Sequence, residues 1–261
     1  MSLDGFESFS FEHEGSAREV FRRGQGPAVI VVHEIPGITP QVAAFGRRVA
    51  DVGLTAVLPV LFGTPGKPLS TPYIAQQIAL ACIRREFTTF ALGRSSPVVD
   101  WLRALCRRMH AECGGPGVGA IGMCLTGGYA LSMMVEPAVT APVLSQPSCP
   151  LPIFPARRAA IDASAEALSI ARQRVKDGVP VLGLRFTHDP ACPPERFATL
   201  RRELGAGFEA IEIDSGPGNA HAIPKGAHSV LTTDLVDRPG HPTHQALERV
   251  LARFRERLLR P

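Results

Sequence analysis

A chain of 261 residues with 45% hydrophobic and 20% charged positions has the make-up of an ordinary globular protein, and it can bury a core without staples. The net charge of +4 is modest, and the arginines come as scattered pairs (Arg47-Arg48, Arg84-Arg85, Arg107-Arg108, Arg157-Arg158, Arg201-Arg202), which reads as solvated helix faces and not as a nucleic-acid patch. The polar opening Met1–Phe11 lacks the two regions of an export signal, no apolar run reaches the ~18 residues of a membrane span, and six cysteines (Cys82, Cys106, Cys113, Cys124, Cys149, Cys192) form no C-x-x-C pair; the expectation is a cytoplasmic chain with reduced thiols, no metal site and no membrane partner.

In chain order, Phe6–His13 and Arg18–Arg22 read as an antiparallel ribbon at a sheet edge. The run Ala28–Val32 is continuously apolar and mostly β-branched, which suits a strand buried on both faces of a parallel sheet. Val42–Val52 has helical spacing with Pro40 near its start, Thr55–Leu61 is a second buried strand, and Gly63–Pro72 is a loop. Helices are predicted over Ile74–Phe87 and Pro97–Met109, a small-residue strand over Gly117–Gly122, and a helix over Tyr129–Val135. The second half repeats the alternation: strand Val139–Leu144, an irregular proline-rich stretch Ser145–Pro155, helix Ala159–Val175, strand Pro180–Phe186, helix Glu195–Leu204, strand Phe208–Ile213 and an amphipathic helix His244–Leu259. Such alternation predicts one α/β domain over 1–261, a mostly parallel sheet with helices on both faces.

The sharpest motif is Gly119-Ala120-Ile121-Gly122-Met123-Cys124-Leu125-Thr126-Gly127-Gly128-Tyr129. A small-residue strand runs into a turn that carries a thiol, and glycines then open a helix, which is the layout of a nucleophile elbow. A thiol at a helix N-terminus also faces the positive end of the helix dipole. A buried structural cysteine is the plain alternative; a phosphate-binding loop fits less well, because no Lys-Ser/Thr follows the glycines.

An elbow nucleophile needs an acid and then a histidine downstream. Asp189, in Thr187-His188-Asp189-Pro190 just past a strand, is the expected acid, with Asp214 as its rival; an Asp-Pro turn without chemistry is the alternative. Of the histidines His188, His221, His228, His241 and His244, the one in Gly226-Ala227-His228-Ser229 lies in the loop ahead of the last helix and is the expected base, with His221 second. Glu34 follows the first buried strand directly, in His33-Glu34-Ile35-Pro36-Gly37, at the carboxyl edge of the sheet where ligands bind. It is either a functional carboxylate that can accept a thiol proton or a surface acid paired with an arginine. The N–H of Leu125, just after the nucleophile, is an expected oxyanion donor.

Three blocks, His33–Gly37, Gly122–Leu125 with Gly127-Gly128, and Gly226–Ser229, resemble the dienelactone hydrolase family, and the resemblance runs from about Ala28 to the final helix. It implies an α/β-hydrolase fold, Cys124 as nucleophile, Asp189 orienting His228, Glu34 in thiol activation, and the N–H groups of Ile35 and Leu125 as oxyanion donors. Two positions depart from the family pattern. Thr126 stands two after the cysteine where the family has glycine, and Thr232 stands four after the histidine where members that cleave dienelactones hold the substrate carboxylate with arginine. Arg84 or Arg85 is the candidate replacement contact. The expectation is a hydrolase of small carboxylic esters or lactones, monomer or homodimer, with no metal and no organic cofactor. A broad esterase or thioesterase, and a hydrolase fold kept only for binding, are the alternatives.

Overall fold

The computed structural model describes residues 3–83, 96–148, 155–161 and 163–259. Its centre is an eight-stranded sheet of β1 (Glu7–His13), β2 (Ser16–Gly24), β3 (Ala28–Val32), β4 (Thr55–Pro59), β5 (Val118–Met123), β6 (Val139–Ser145), β7 (Val181–Phe186) and β8 (Phe208–Ile213), in the order β1-β2-β4-β3-β5-β6-β7-β8. β1 and β2 form the antiparallel ribbon, β2 joins β4 antiparallel, and every pairing from β4 to β8 is parallel. All five residues of β3, all five of β4 and all six of β5 are buried, as continuous apolar runs in a two-sided sheet require.

Successive residues of a strand point to opposite faces, so β3 divides its side chains between two cores. Ala28, Ile30 and Val32 join the face covered by α3 (Pro97–Cys113), α4 (Tyr129–Met133), α6 (Ala165–Lys176) and α7 (Pro194–Leu204), with Trp101, Tyr129 and Phe197 among its largest residues. Val29 and Val31 join the face covered by α1 (Pro40–Asp51) and α8 (Pro242–Leu258) through Phe45, Val49, Leu247 and Phe254. Thr39 caps α1, its hydroxyl accepting from the Val42 N–H at 3.3 Å, and His241 caps α8 by accepting from the Thr243 N–H.

Some boundaries differ from the sequence reading. The helix expected over Ala159–Val175 begins later, as α6, after Ser164, whose hydroxyl accepts from the Ala167 N–H at 3.1 Å, and a separate short helix, α5 (Pro155–Ala159), precedes it. The proline-rich stretch therefore ends in a helix, because proline fits the first turn of one. α3 runs to Cys113 and stops at Gly114, whose φ of 69° only glycine adopts readily. α2 (Thr71–Ile83) begins earlier than expected, and its expected end at Phe87 lies outside the described residues, as do Arg84, Arg85 and Cys149. Among the described residues no helix is long and apolar enough to cross a membrane.

Candidate active site

At the carboxyl end of β5 the chain turns through Cys124, which sits in the left-handed region at φ 54°, a conformation that costs a non-glycine residue about 1–3 kcal/mol. A 3₁₀ turn (Cys124–Thr126) and then α4 follow. The turn is too tight for side chains at its flanks. A Cβ on Gly122 would lie 2.0 Å from the Thr126 carbonyl oxygen, and one on Gly127 would lie 2.3 Å from Pro147 Cα. The Cys124 carbonyl accepts the N–H groups of Gly127 and Ser148, both at 2.8 Å, which fixes the turn from two sides. α4 has only five residues, so the dipole at the thiol is smaller than a long helix would give.

The fold brings His228 and Asp189 to this turn. Asp189, 2% exposed, lies just past β7, and its Oδ2 is 2.7 Å from His228 Nδ1. The remaining ring nitrogen is left for Cys124, which lies near enough to raise the His228 pKa. Burial by itself lowers the His228 pKa, but a negative charge on Cys124 and the bond to Asp189 outweigh it and hold the imidazole well above its ordinary value. The second Asp189 oxygen accepts the Ala191 N–H at 2.9 Å. The backbone of His228 is clamped as well: the N–H groups of His228 and Ser229 both donate to Asp234 Oδ2 at 2.8 Å.

The rival candidates lie elsewhere. Asp214 accepts from the Gly216 N–H and from Thr187 Oγ1. His221 packs edge-on against His241, with ring centroids 5.2 Å apart, and lines with Asp214 a separate groove of about 420 Å³. His188 bonds Thr187, and His244 pairs with Asp237. Among the other thiols, Cys106 and Cys192 are buried and burial pushes both far up, while Cys113 is raised for the same reason.

Glu34 is 4% exposed and pairs with no arginine among the described residues, so it is not the surface ion pair that the sequence left open. Its Oε2 accepts from Gln146 Nε2 at 3.1 Å and Ser229 Oγ at 2.8 Å, and its Oε1 accepts from Thr232 Oγ1. Burial raises its pKa, against the pull of these three donors and of the nearby His228 charge. The Thr232 hydroxyl is thus spent on Glu34. Next to it His33, fully buried, accepts the Leu61 N–H on Nε2 at 3.1 Å, so its proton is on Nδ1 and goes to the Glu34 carbonyl at 3.0 Å. Burial lowers the His33 pKa to about 4, so the ring is neutral and acts as a tie between the ends of β3 and β4.

Gln146, Asp234 and the anchoring roles of Ser229 and Thr232 escape a reading of the sequence. Only Gln146 carried a signal: it follows β6 directly, at the sheet edge where ligands gather. Its φ of 34° is again left-handed, with its N–H held by the Leu184 carbonyl at 2.7 Å. Arg185, a conceivable cation for this pocket, is committed elsewhere: it donates to Glu212 and to the carbonyls of Cys192 and Thr187. Ile35 and Leu125 follow Glu34 and Cys124 and are partly exposed. Among the described residues, no group of three or more His, Cys, Asp or Glu side chains has the arrangement to hold a metal ion.

The profile of the dienelactone hydrolase family matches residues 17–256. A solved structure of a Klebsiella pneumoniae subsp. pneumoniae MGH 78578 protein provisionally named a dienelactone hydrolase is 19% identical, with a TM-score of 0.60 over 95% of this chain and 97% of that one. The dienelactone hydrolase-like promiscuous phosphotriesterase P91 from metagenomic libraries is 16% identical, with a TM-score of 0.61 over 97% and 98%. A thermostable esterase is 14% identical, with a TM-score of 0.60 over 98% of this chain and 64% of the other. At such identities the likeness carries the fold, an α/β-hydrolase arrangement. No match was found among curated protein sequences.

Proposed function

Given that the chain belongs to the dienelactone hydrolase family, we propose that it hydrolyses small carboxylic esters or lactones through Cys124, His228 and Asp189. The observation that carries this reading is His228 bonded to a buried Asp189 beside Cys124, at a turn whose left-handed cysteine is flanked by glycines with no room for side chains. A histidine pKa raised by its two partners fits an imidazolium that faces sulfur and later gives up its proton.

The cycle follows from the groups present. The Cys124 sulfur attacks the carbonyl carbon, and the carbonyl π pair moves to oxygen, where the N–H groups of Ile35 and Leu125 are the proposed donors. The oxyanion collapses, the C–O bond to the leaving group breaks, and His228 hands its proton to the departing alkoxide. A thioester on Cys124 remains; with a lactone, the alcohol stays tethered to the acyl group. Neutral His228 then takes a proton from water, hydroxide adds to the thioester, and the C–S bond breaks to release the acid. Asp189 keeps the ring proton on Nδ1 throughout. Glu34 lies beside this relay, buried among three neutral donors, and in its ionised form it supports a positive imidazole.

The test is a panel of esters, lactones and thioesters, with mass spectrometry for an acyl group on Cys124. Turnover with trapped acyl-Cys124, abolished in Cys124→Ala and at most residual in Cys124→Ser, is the expected result. Full activity in Cys124→Ala would falsify the mechanism, and absence of turnover and of any adduct across the panel favours a fold kept for binding. We further propose one domain over 1–261 and a cytoplasmic setting.

A further inference from the structure

Thr126 has no role in the cycle above, yet its hydroxyl sits at the junction of the two turns that the cycle uses. The parallel ladder between β3 and β5 runs from Val29–Gly119 to Val32–Gly122 and stops. Beyond it the strands part, one towards His33, Glu34 and Ile35, the other towards Met123, Cys124 and Leu125. Thr126, fully buried, fills that gap. Its Oγ1 accepts the Met123 N–H at 3.0 Å and faces the carbonyl oxygens of Met123 at 2.9 Å, Val32 at 3.0 Å and His33 at 3.2 Å. A hydroxyl has one proton and two lone pairs, so one lone pair takes the Met123 N–H and the proton is shared towards the carbonyls. The side chain supplies one more rung to the ladder after the backbone rungs have ended.

Resting on the reading of Cys124 as nucleophile, we propose that Thr126 is a positioning residue that sets the separation of the two oxyanion donors. Thr126 directly follows Leu125, and His33 stands two residues before Ile35, so the two donor peptides hang from opposite ends of this bridge. Oxyanion donors act only when they are within roughly 2.7–3.1 Å of the developing charge, and the loss of one costs on the order of 10²–10³ in kcat. A site about 1 Å too loose gives up much of that benefit. Without the hydroxyl, the Met123 N–H and the carbonyls of Val32 and His33 lose their common partner in a buried place, and the two turns are free to separate.

The experiment compares Thr126→Val, which keeps the shape and removes the hydroxyl, with Thr126→Ser, which keeps the hydroxyl. Three rates or affinities are measured on each: kcat/KM for a neutral aryl ester, binding of a trifluoromethyl ketone whose adduct with Cys124 places an oxyanion in the hole, and alkylation of Cys124 by iodoacetamide, which forms no oxyanion. Thr126→Val is expected to lose about 10- to 100-fold in kcat/KM and in ketone affinity together. Its KM and alkylation rate should stay within about threefold of wild type, and Thr126→Ser should recover both losses. Wild-type kcat/KM in Thr126→Val overturns the proposal, and so does an equal fall in alkylation and ketone binding, which marks a merely structural residue. If Thr126→Val does not fold, Thr126→Ala removes the hydroxyl without setting a methyl against three carbonyls and is read in the same way. A wild-type protein that neither turns over the ester nor forms the ketone adduct overturns the nucleophile reading itself, a result separate from any behaviour of the Thr126 variants.

Discussion

Replacing Asp189 with asparagine removes one charge and almost no volume, and the surrounding bonds dictate what the amide can do. One carboxylate oxygen accepts the Ala191 N–H at 2.9 Å and the other holds His228 Nδ1 at 2.7 Å. An amide has one oxygen. If it stays with Ala191, the amide NH₂ faces Nδ1, the ring must carry its proton on the other nitrogen, and that nitrogen no longer accepts a proton from thiol or water. If the amide turns over, two donors meet at Ala191 in a site that is 2% exposed, at about 1–3 kcal/mol for the unmet N–H. That clash disfavours the turned-over amide, the one arrangement that keeps the ring proton on Nδ1, so the first arrangement holds and kcat for ester hydrolysis should fall on the order of 10³–10⁴-fold, the scale for a triad whose histidine is held in the wrong tautomer. A thermal unfolding series gives a second check. The folded His228 pKa is raised above the unfolded value of about 6.5, so its contribution to stability is fully present below that pH and is lost as pH rises through the folded pKa. The stability gap between wild type and Asp189→Asn should therefore be widest between about pH 5 and 6.5 and narrow above. A variant within tenfold of wild type, or a gap that widens as pH rises, refutes the assignment of Asp189.

Alanine at His228 should remove several orders of magnitude from the rate, whereas alanine at His221, packed on His241 beside a different groove, should leave it within about twofold; steady-state rates on one ester decide this, and the reverse outcome moves the base to His221. Asp234→Asn keeps one oxygen for the His228 and Ser229 N–H groups but loses charge, and should cost about 1–2 kcal/mol of stability by denaturant unfolding; an unchanged midpoint means the clamp adds nothing. Of two substrates of equal size, one with a free carboxylate and one methylated, the acid should gain less than tenfold in kcat/KM, since Thr232 is bound to Glu34 and Arg185 to Glu212; a fixed arginine contact of about 1.5–3 kcal/mol would instead give ten- to a hundredfold.

Strand β3 and the Cys124 turn are visible in the sequence because their causes are local. A run such as Ala28–Val32 has few other uses, and a turn with no room for a Cβ leaves glycines on either side of its cysteine. The split of α5 from α6 is less visible, because apolar spacing continues through the break and only the Ser164 cap marks it. The surroundings of Glu34 leave no local trace. Its partners Gln146, Ser229 and Thr232 lie 112, 195 and 198 residues away, and each is an ordinary polar residue until the fold assembles them. Thr126 and Thr232 read as gaps in a family pattern when taken one at a time, whereas in the folded chain both hydroxyls are in use.

Charge around the thiol then follows from what each neighbour can give. Among the described residues, Gln146, Ser229 and Thr232 satisfy the Glu34 oxygens without bringing in an arginine, so an ionised Glu34 keeps its field. Two buried carboxylates, Glu34 and Asp189, thus stand near one imidazole, which the second of them holds directly. Under the proposed cycle this histidine is the positive group that faces the sulfur, and it must then part with its proton to the leaving alkoxide. A substrate carboxylate entering that space would meet two negative neighbours and compete with the thiolate for the same imidazolium, while a neutral ester or lactone would leave the pair intact. Under the proposed cycle, threonine at position 232 in place of arginine withdraws a partner for anionic substrates and leaves an ionised Glu34 free to sustain the charge on His228.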